Sequence, residues 1–447
     1  MNNKMILPFS LAALLLAISL PSFAKTTPEE LAHLGQDLTP IGAKMAGNAD
    51  GSIPAWTGGI TQPPTGFDVK KGWLDPFAAD KPLFTITAAN AAQYRDKLAP
   101  GQMALLQKYP EYKMNIYPTR RSAGYPQAVY DAVKAEAVNA DTANGGNNVI
   151  NVSKSSVPFP LPRSGVEVIW NNAFRYRTRG VVRYQTNFPV QANGAFTPLR
   201  SVERLFYPIS MEHPPENLLF MYRATYTAPS SIAGENVLIH ESIDQVKQPR
   251  KAWVYNPGSR RVLRAPEIAY DNPSTGSDAL ATTDDYDGYN GAPDRYDFKL
   301  LGTREMYIAY NNYKLTDKHL KYSEIIKPNV INQDLVRYEL HRVWVVEGTL
   351  KPGASHIYAK RVFFVDEDSW QIAHGDQYDG RGELWRVKEL YGVQYYDAPT
   401  FWMAGTSQYD LQSRRYYSSA LTNEEPPIEW NAALGLEDFS TGVLKRN

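Results

Sequence analysis

From about Val166 onward, short apolar and polar runs follow one another, each ended by turn-forming residues. The stretch Leu219-Phe220-Met221-Tyr222-Arg223-Ala224-Thr225-Tyr226 shows the alternation of a half-buried strand. The pattern predicts strands at Val181–Phe188, Val202–Tyr207, Leu218–Thr227, Val237–Val246, Lys251–Asn256 and Arg261–Arg264. It predicts a second set at Phe298–Thr303, Met306–Tyr310, Val336–Thr349, Ile357–Val365, Gln371–Gln377 and Leu384–Tyr396. Regular strands with short turns indicate an antiparallel sheet, sandwich or barrel. No strand–helix–strand alternation is present, which argues against a doubly wound sheet.

Upstream the pattern differs. Residues 25–82 are rich in turn chemistry, such as Gly47-Asn48-Ala49-Asp50-Gly51 and Gln62-Pro63-Pro64, and predict an extended path with Trp56 and Trp73 as pegs. Residues 88–108 predict helical pieces broken at Pro100-Gly101, and Tyr125–Val138 predicts a second helix. The chain thus divides into residues 1–24, an extended segment with helical pieces over 25–164, and a β body with a C-terminal extension over 165–447.

The first 24 residues read as a signal peptide. Met1-Asn2-Asn3-Lys4 is a short basic start, Met5 to Leu20 is apolar and uncharged, and Ser22 and Ala24 fit the positions a signal peptidase reads. The run is short for a spanning helix. The expected compartment is therefore the periplasm, with association at the outer membrane open. The absence of cysteine excludes disulfides, a lipidated cysteine, thiolate zinc sites and thiol nucleophiles. Lys+Arg 47 balance Asp+Glu 47, so no global field attracts nucleic acid. Tyr 29, Phe 16 and Trp 9 supply strand formers that also line apolar or sugar-binding surfaces.

Candidate chemistry is sparse. Asp284-Asp285-Tyr286-Asp287-Gly288-Tyr289, with Asp294 and Asp297, is the densest acidic stretch, but its spacing departs from a calcium-binding hand, and Asx-turns account for such residues. His374, near Asp366, Asp368, Asp376 and Asp379, suggests a metal only weakly, because the histidines are scattered without helical His-x-x-x-His spacing. No nucleophile elbow, phosphate loop or dinucleotide fingerprint occurs. Neither a metal nor a cofactor is expected. Arg175, Arg177, Arg179 and Arg183 alternate, and on one strand face they would meet phosphate headgroups or a partner's carboxylates.

Two hairpins carry a resemblance. Trp253-Val254-Tyr255-Asn256-Pro257-Gly258-Ser259-Arg260-Arg261 and Val365-Asp366-Glu367-Asp368-Ser369-Trp370, followed by Gln377-Tyr378-Asp379-Gly380-Arg381-Gly382, resemble the LolA/LolB-like half-barrels of the bacterial lipoprotein carriers over about residues 165–395. The whole mature chain is similar to a large proteobacterial family known as a domain of unknown function and often labelled outer-membrane lipoprotein-sorting protein. Further marks are Thr227-Ala228-Pro229-Ser230, Pro249-Arg250-Lys251-Ala252-Trp253 and Asp294-Arg295-Tyr296-Asp297-Phe298-Lys299. The resemblance implies a curved antiparallel sheet with an apolar concave face covered by helices. By analogy the pieces at 88–138 would be the lid.

These readings point to a carrier or adaptor that shelters a lipid or other hydrophobic molecule and performs no reaction on it. The inward candidates are Trp253, Tyr255, Leu219, Met221, Phe363 and Val365. Expected partners are an inner-membrane transporter and an outer-membrane protein. The alternative is a carbohydrate-active or other hydrolytic enzyme on a β scaffold, which the aromatic content also suits.

Overall fold

The computed structural model describes residues 26–154, 156–208 and 211–445. The signal-peptide reading falls outside them. After a one-turn helix α1 (Pro28–Leu31) come β1 (Phe84–Ile86), α2 (Pro100–Lys108), β2 (Met114–Ile116) and α3 (Gln127–Glu136). A small hairpin, β3 (Asp141–Ala143) and β4 (Asn148–Ile150), precedes α4 (Gly165–Phe174). The body follows as β5 (Gly180–Val190), β6 (Leu199–Phe206), β7 (Leu218–Ala228), β8 (Asn236–Ser242), β9 (Lys251–Asn256) and β10 (Arg261–Arg264). After a long connection come β11 (Tyr296–Ala309), β12 (Tyr338–Leu350), β13 (Lys360–Asp366), β14 (Ile372–Tyr378), β15 (Leu384–Tyr395), β16 (Thr400–Asp410), β17 (Tyr416–Leu421) and β18 (Glu429–Trp430).

Sixteen strands form one open sheet, ordered β1-β2-β12-β13-β14-β15-β16-β17-β5-β6-β7-β8-β9-β10, with β11 on β12 and β18 on β5. It is two antiparallel meanders side by side. The first runs out from β5 to β10; the chain then crosses back over one face through residues 265–295 and enters the second meander at β11. The second ends at β17, which pairs with β5 through Tyr416↔Val190 and Ser418↔Phe188. Register shifts at Leu390/Gly392, Arg200/Ser201 and Leu218/Phe220 bend the strands. The expected mainly-β class and large antiparallel sheet are found. The sheet stays open.

Both faces are covered, by different parts of the chain. The inner face carries α4 and the 265–295 crossing. Val168, Ile169, Trp170 and Phe174 of α4 pack with Phe363, Val365 and Trp402 of the sheet. On the outer face, Leu105 and Leu106 of α2 with Tyr112 and Met114 pack on Val387, Tyr391, Tyr409 and Tyr416. The C-terminal segment seals the outer face of the other meander, where Phe439 and Leu444 meet Phe206, Met221 and Leu238. His240 Nε2 lies 2.7 Å from the Phe439 carbonyl oxygen, fixing that segment.

Three expectations need correction. Residues 165–174 are a helix, not part of the strand series. Ser164 accepts from the Glu167 amide and starts it, and its apolar side is buried by the sheet. The C-terminal extension contains β16 and β17, which join the two meanders at the centre of the sheet. The helical pieces at 88–138 do not line the inner-face cavity described below: α2 lies on the opposite face, and α3 packs beside α4. No helix among the described residues is long and apolar enough to cross a membrane. The 26–82 segment is pinned by its indoles: Trp56 donates to the Ala123 carbonyl (3.1 Å) and Trp73 to Asp397 (2.8 Å).

Truncating Phe439 removes the main plug over the outer face of β6–β8. Phe439→Ala should cost about 3–5 kcal/mol in urea unfolding, as for other large-to-alanine core changes. Leu263→Ser, at a side chain 58% exposed, should stay within about 0.5 kcal/mol.

Candidate functional site

The crossing segment carries its acidic stretch into the protein interior. Asp284, Asp285 and Asp287 are all buried. Asp284 is gripped by Arg361 of β13 at 2.8–2.9 Å and by His356 Nε2 at 3.1 Å. Asp287 accepts from Arg175 (2.5 Å), from Arg177, and from the Trp402 indole (2.9 Å). Asp285 accepts from Gln377 (2.6 Å) and Gln408 (3.0 Å), and Lys388 donates to its backbone carbonyl. Burial alone would raise these carboxyl pKa values. The cations reverse it: Arg361 and His356 hold Asp284 well below the usual carboxylate range, Arg175 and Arg177 lower Asp287, and Lys388 and Arg361 lower Asp285. These carboxylates therefore bind the protein's own cations, a third option beside calcium and Asx-turns.

The four arginines do not share a strand face, because β5 begins only at Gly180. Arg175 caps α4, Arg177 lies in the following loop, and both are buried on Asp287. Arg183 is buried on Glu203 at 2.6 Å, with its guanidinium 4.3 Å from the Trp402 ring centroid. Arg179 alone is exposed, near the Phe206 ring.

Beside this network lies a cavity of about 160 Å³ between β5–β8, β15–β17 and the crossing. For scale, a 150 Å³ apolar cavity accommodates benzene. One wall is apolar: Phe220, Tyr226, Val237, Ile239, Ile268 and Met403. The floor is polar: Arg183, Gln185, Glu203, Tyr286, Lys388 and Gln408. Burial pulls the pKa of Lys388 down, and the charge of Asp285 opposes that. The alternation of β7 decides which residues face the cavity, since Tyr222 and Tyr226 point in while Met221 points out.

None of the six residues picked as inward-facing lines this cavity. Met221, Trp253 and Tyr255 sit on the outer face under the C-terminal segment. Leu219 belongs to the main core, and Phe363 and Val365 face inward but are packed beneath α4 and Tyr289, whose ring is 5.5 Å from that of Phe363.

A second ionic cluster lies on β12 and at the β13–β14 turn. His341 Nε2 is 3.1 Å from Glu339, and His341, Asp366 and Asp368 each offer a ligand atom within 4.8 Å of one another. Both oxygens of Asp368 accept from Arg121, at 2.6 and 2.8 Å, so a guanidinium supplies the charge a metal would. Burial and the neighbouring Asp368 push Asp366 up to about 6 and Glu367 up to about 7. His341 is raised too: burial alone would lower it, but Glu339 and Asp366 prevail. His374, the other metal candidate, is buried and paired with Asp376 at 2.8 Å. Asp376 in turn accepts from the Gly101 amide of α2.

The fold and site define an open, largely antiparallel sheet protein with an inner face roofed by its own chain and one amphipathic cavity beneath the roof. Residues 85–445 match the family described as Protein of unknown function (DUF1329), and the chain belongs to that family. The Pseudomonas aeruginosa protein "Uncharacterized protein PA3922" is 48% identical over 429 residues, covering 95% of this chain and 94% of that one. Among solved structures, an outer membrane lipoprotein-sorting protein domain from Vibrio parahaemolyticus is similar at 15% identity and TM-score 0.44, over 63% of this chain and 98% of that one. A DUF1329 family protein from Desulfovibrio piger is similar at 14% identity and TM-score 0.45, over 63% and 97%. A LolA superfamily protein from Nitrosomonas europaea gives 13% and 0.39, over 63% and 99%.

Two outcomes test this electrostatic layout. Asp287→Asn leaves Arg175 and Arg177 buried without their counter-charge and should cost about 3–5 kcal/mol by urea unfolding. The raised carboxyls Asp366 and Glu367 and the raised His341 take up protons in the folded state before the unfolded chain does. Their contribution is present at low pH and is lost as pH rises through about 6 to 7. Lowering the pH from 8 to 6 should therefore raise the melting temperature by roughly 2–4 °C, and Asp366→Asn should shrink that slope.

Proposed function

We propose that this protein is a periplasmic carrier or adaptor that holds a hydrophobic or amphipathic small molecule in the inner-face cavity and performs no reaction on it. The observation that carries the reading is the cavity's build, an apolar wall of Phe220, Tyr226, Val237 and Ile239 set against a polar floor. Each methylene moved from water to such a wall gains about 0.8 kcal/mol, so a short chain is held firmly without any covalent step. Ile268, Pro273 and Thr275 of the crossing form part of the enclosure. They sit on a connection, not on a central strand, so the mouth opens without breaking the sheet's hydrogen-bond ladder. Export by the N-terminal segment, pick-up from an inner-membrane transporter and delivery to an outer-membrane protein complete the proposed role.

Protein purified from its native envelope, extracted with organic solvent and analysed by mass spectrometry should release a co-purified apolar compound near one per chain. Val237→Trp fills the cavity and should lower its yield by about tenfold or more. Empty extracts from the unmodified protein would refute the carrier role. An equal yield from a folded Val237→Trp variant would move the ligand to another place.

A further inference from the structure

The polar floor has a definite electrostatic character. The cations facing the cavity are largely compensated: Arg183 is bound to Glu203 at 2.6 Å, Arg250 to Glu241 at 2.7 Å, and Lys388 donates to the Asp285 backbone carbonyl within the field of the Asp285 and Asp284 carboxylates. Arg361, behind Asp285, is spent on Asp284 at 2.8 Å. An ionised headgroup entering here would meet little uncompensated opposite charge, and it would lose its hydration shell.

What the floor does leave open are single hydrogen-bonding positions on side chains whose charge is already balanced. Arg183 Nη1, Gln185 Oε1, Gln408 Oε1 and Tyr286 Oη are buried atoms without a partner among the described residues. All four residues line the cavity, and Arg183, Gln185 and Gln408 are nine-tenths or more buried. The remaining atoms of these side chains are committed. Arg183 Nε and Nη2 bind Glu203, Gln185 Nε2 donates to Ser201 (3.5 Å), and Gln408 Nε2 donates to Asp285 (3.0 Å). The open set is therefore one guanidinium donor, two amide acceptors and one phenol able to do either. A buried polar atom left unpaired is costly, so such a set selects a ligand that satisfies donors and acceptors together.

We propose that the cavity takes an amphiphile with an uncharged head that both donates and accepts, a hydroxyl or carboxamide, seated on Arg183, Gln185, Tyr286 and Gln408, with its apolar body along Tyr226, Val237 and Ile239. This rests on the carrier reading and narrows its ligand class. Carboxylate and ammonium amphiphiles of the same length are rejected.

Isothermal titration calorimetry of the full mature protein at pH 7.5, with 1-octanol, octanoate, octylamine and naphthalene as probes, tests it. Octanol should bind about tenfold or more tightly than either ion. Tyr286→Phe deletes a hydroxyl with no partner among the described residues, so the variant should melt like the parent. Its octanol affinity should fall about three- to tenfold while naphthalene binding is unchanged. Octanoate or octylamine matching octanol, or octanol binding unaffected in Tyr286→Phe, would overturn the head assignment and leave the carrier reading standing if naphthalene binds. Absence of binding by both octanol and naphthalene would bring down both.

Discussion

The inner face depends on one requirement: the acidic crossing between the two meanders must be neutralised inside the protein. Residues 265–295 have to travel from β10 at one edge to β11 at the far side of the sheet. On the way three of their carboxylates, Asp284, Asp285 and Asp287, are buried. An isolated carboxylate in a low-dielectric interior is untenable, and a paired one is acceptable only with its hydrogen bonds completed. Each carboxylate meets that condition with groups from separate elements. Asp287 ties the end of α4 (Arg175), the loop after it (Arg177) and β16 (Trp402) to a single residue of the crossing. Asp284 does the same for β13 and the His356 loop. Such pairs add little net stability over well-packed apolar side chains, but they penalise every misplaced path of the crossing, because each error strands a charge.

The same requirement explains why the cavity lies where it does. α4 has ten residues, so it spans about 15 Å. A sheet of this width, at about 4.8 Å per strand, is several times broader. α4, with Val133 of α3 beside it, therefore fills the inner face only over part of the sheet, where Val168, Trp170 and Phe174 close the core. Over β5–β8 the roof is the crossing itself. Its acidic side chains are directed at the ionic partners, so apart from Ile268 little of it fills the space above Val237 and Ile239. The cavity is what remains between a roof chosen for charge pairing and a wall chosen for apolar strand packing.

Much of the sheet was legible from runs of β-branched and aromatic residues ended by turn formers. Lys251–Asn256 and Arg261–Arg264 were read to the residue. β16 and β17 were not read, and the cause is physical. Every residue of β16 is buried, since α4 and the crossing cover one face and α2 with its neighbours covers the other. A strand covered on both sides loses the alternation that marks a strand in sequence, and the similarly buried β5, β14 and β15 were legible only through their composition and turn boundaries. α4 did leave a signal, the Ser164-x-x-Glu167 spacing that begins a helix, set just before the apolar run. The arginines were misplaced for a related reason: alternation over 175–183 straddles a helix end, a loop and a strand start. The inward residues of β7 were misassigned by one position. Parity fixes which residues share a face, but only the crossing, a contact distant in sequence, decides which face is the inner one.

The N-terminal strap shows a different solution to the same problem of holding irregular chain against a sheet. It lies before residue 85, where the family match begins, yet it is held by residues inside that match. Arg121 donates to the carbonyls of Lys44, Met45 and Pro54, and Arg342 to those of Lys44 and Ala46. Both guanidiniums are oriented from behind by acids of the β13–β14 turn, Asp368 and Glu367. The grip is on backbone oxygens, which every sequence supplies, and it adds to the side-chain pegs Ile41, Ile53 and Trp73 buried in the core. The acidic turn carries the specificity. Asp366-Glu367-Asp368 is buried against His341, Arg121 and Arg342. A turn that reads as surface chemistry in sequence thus works as the inner half of a clamp, just as the acidic crossing works as the inner half of the roof.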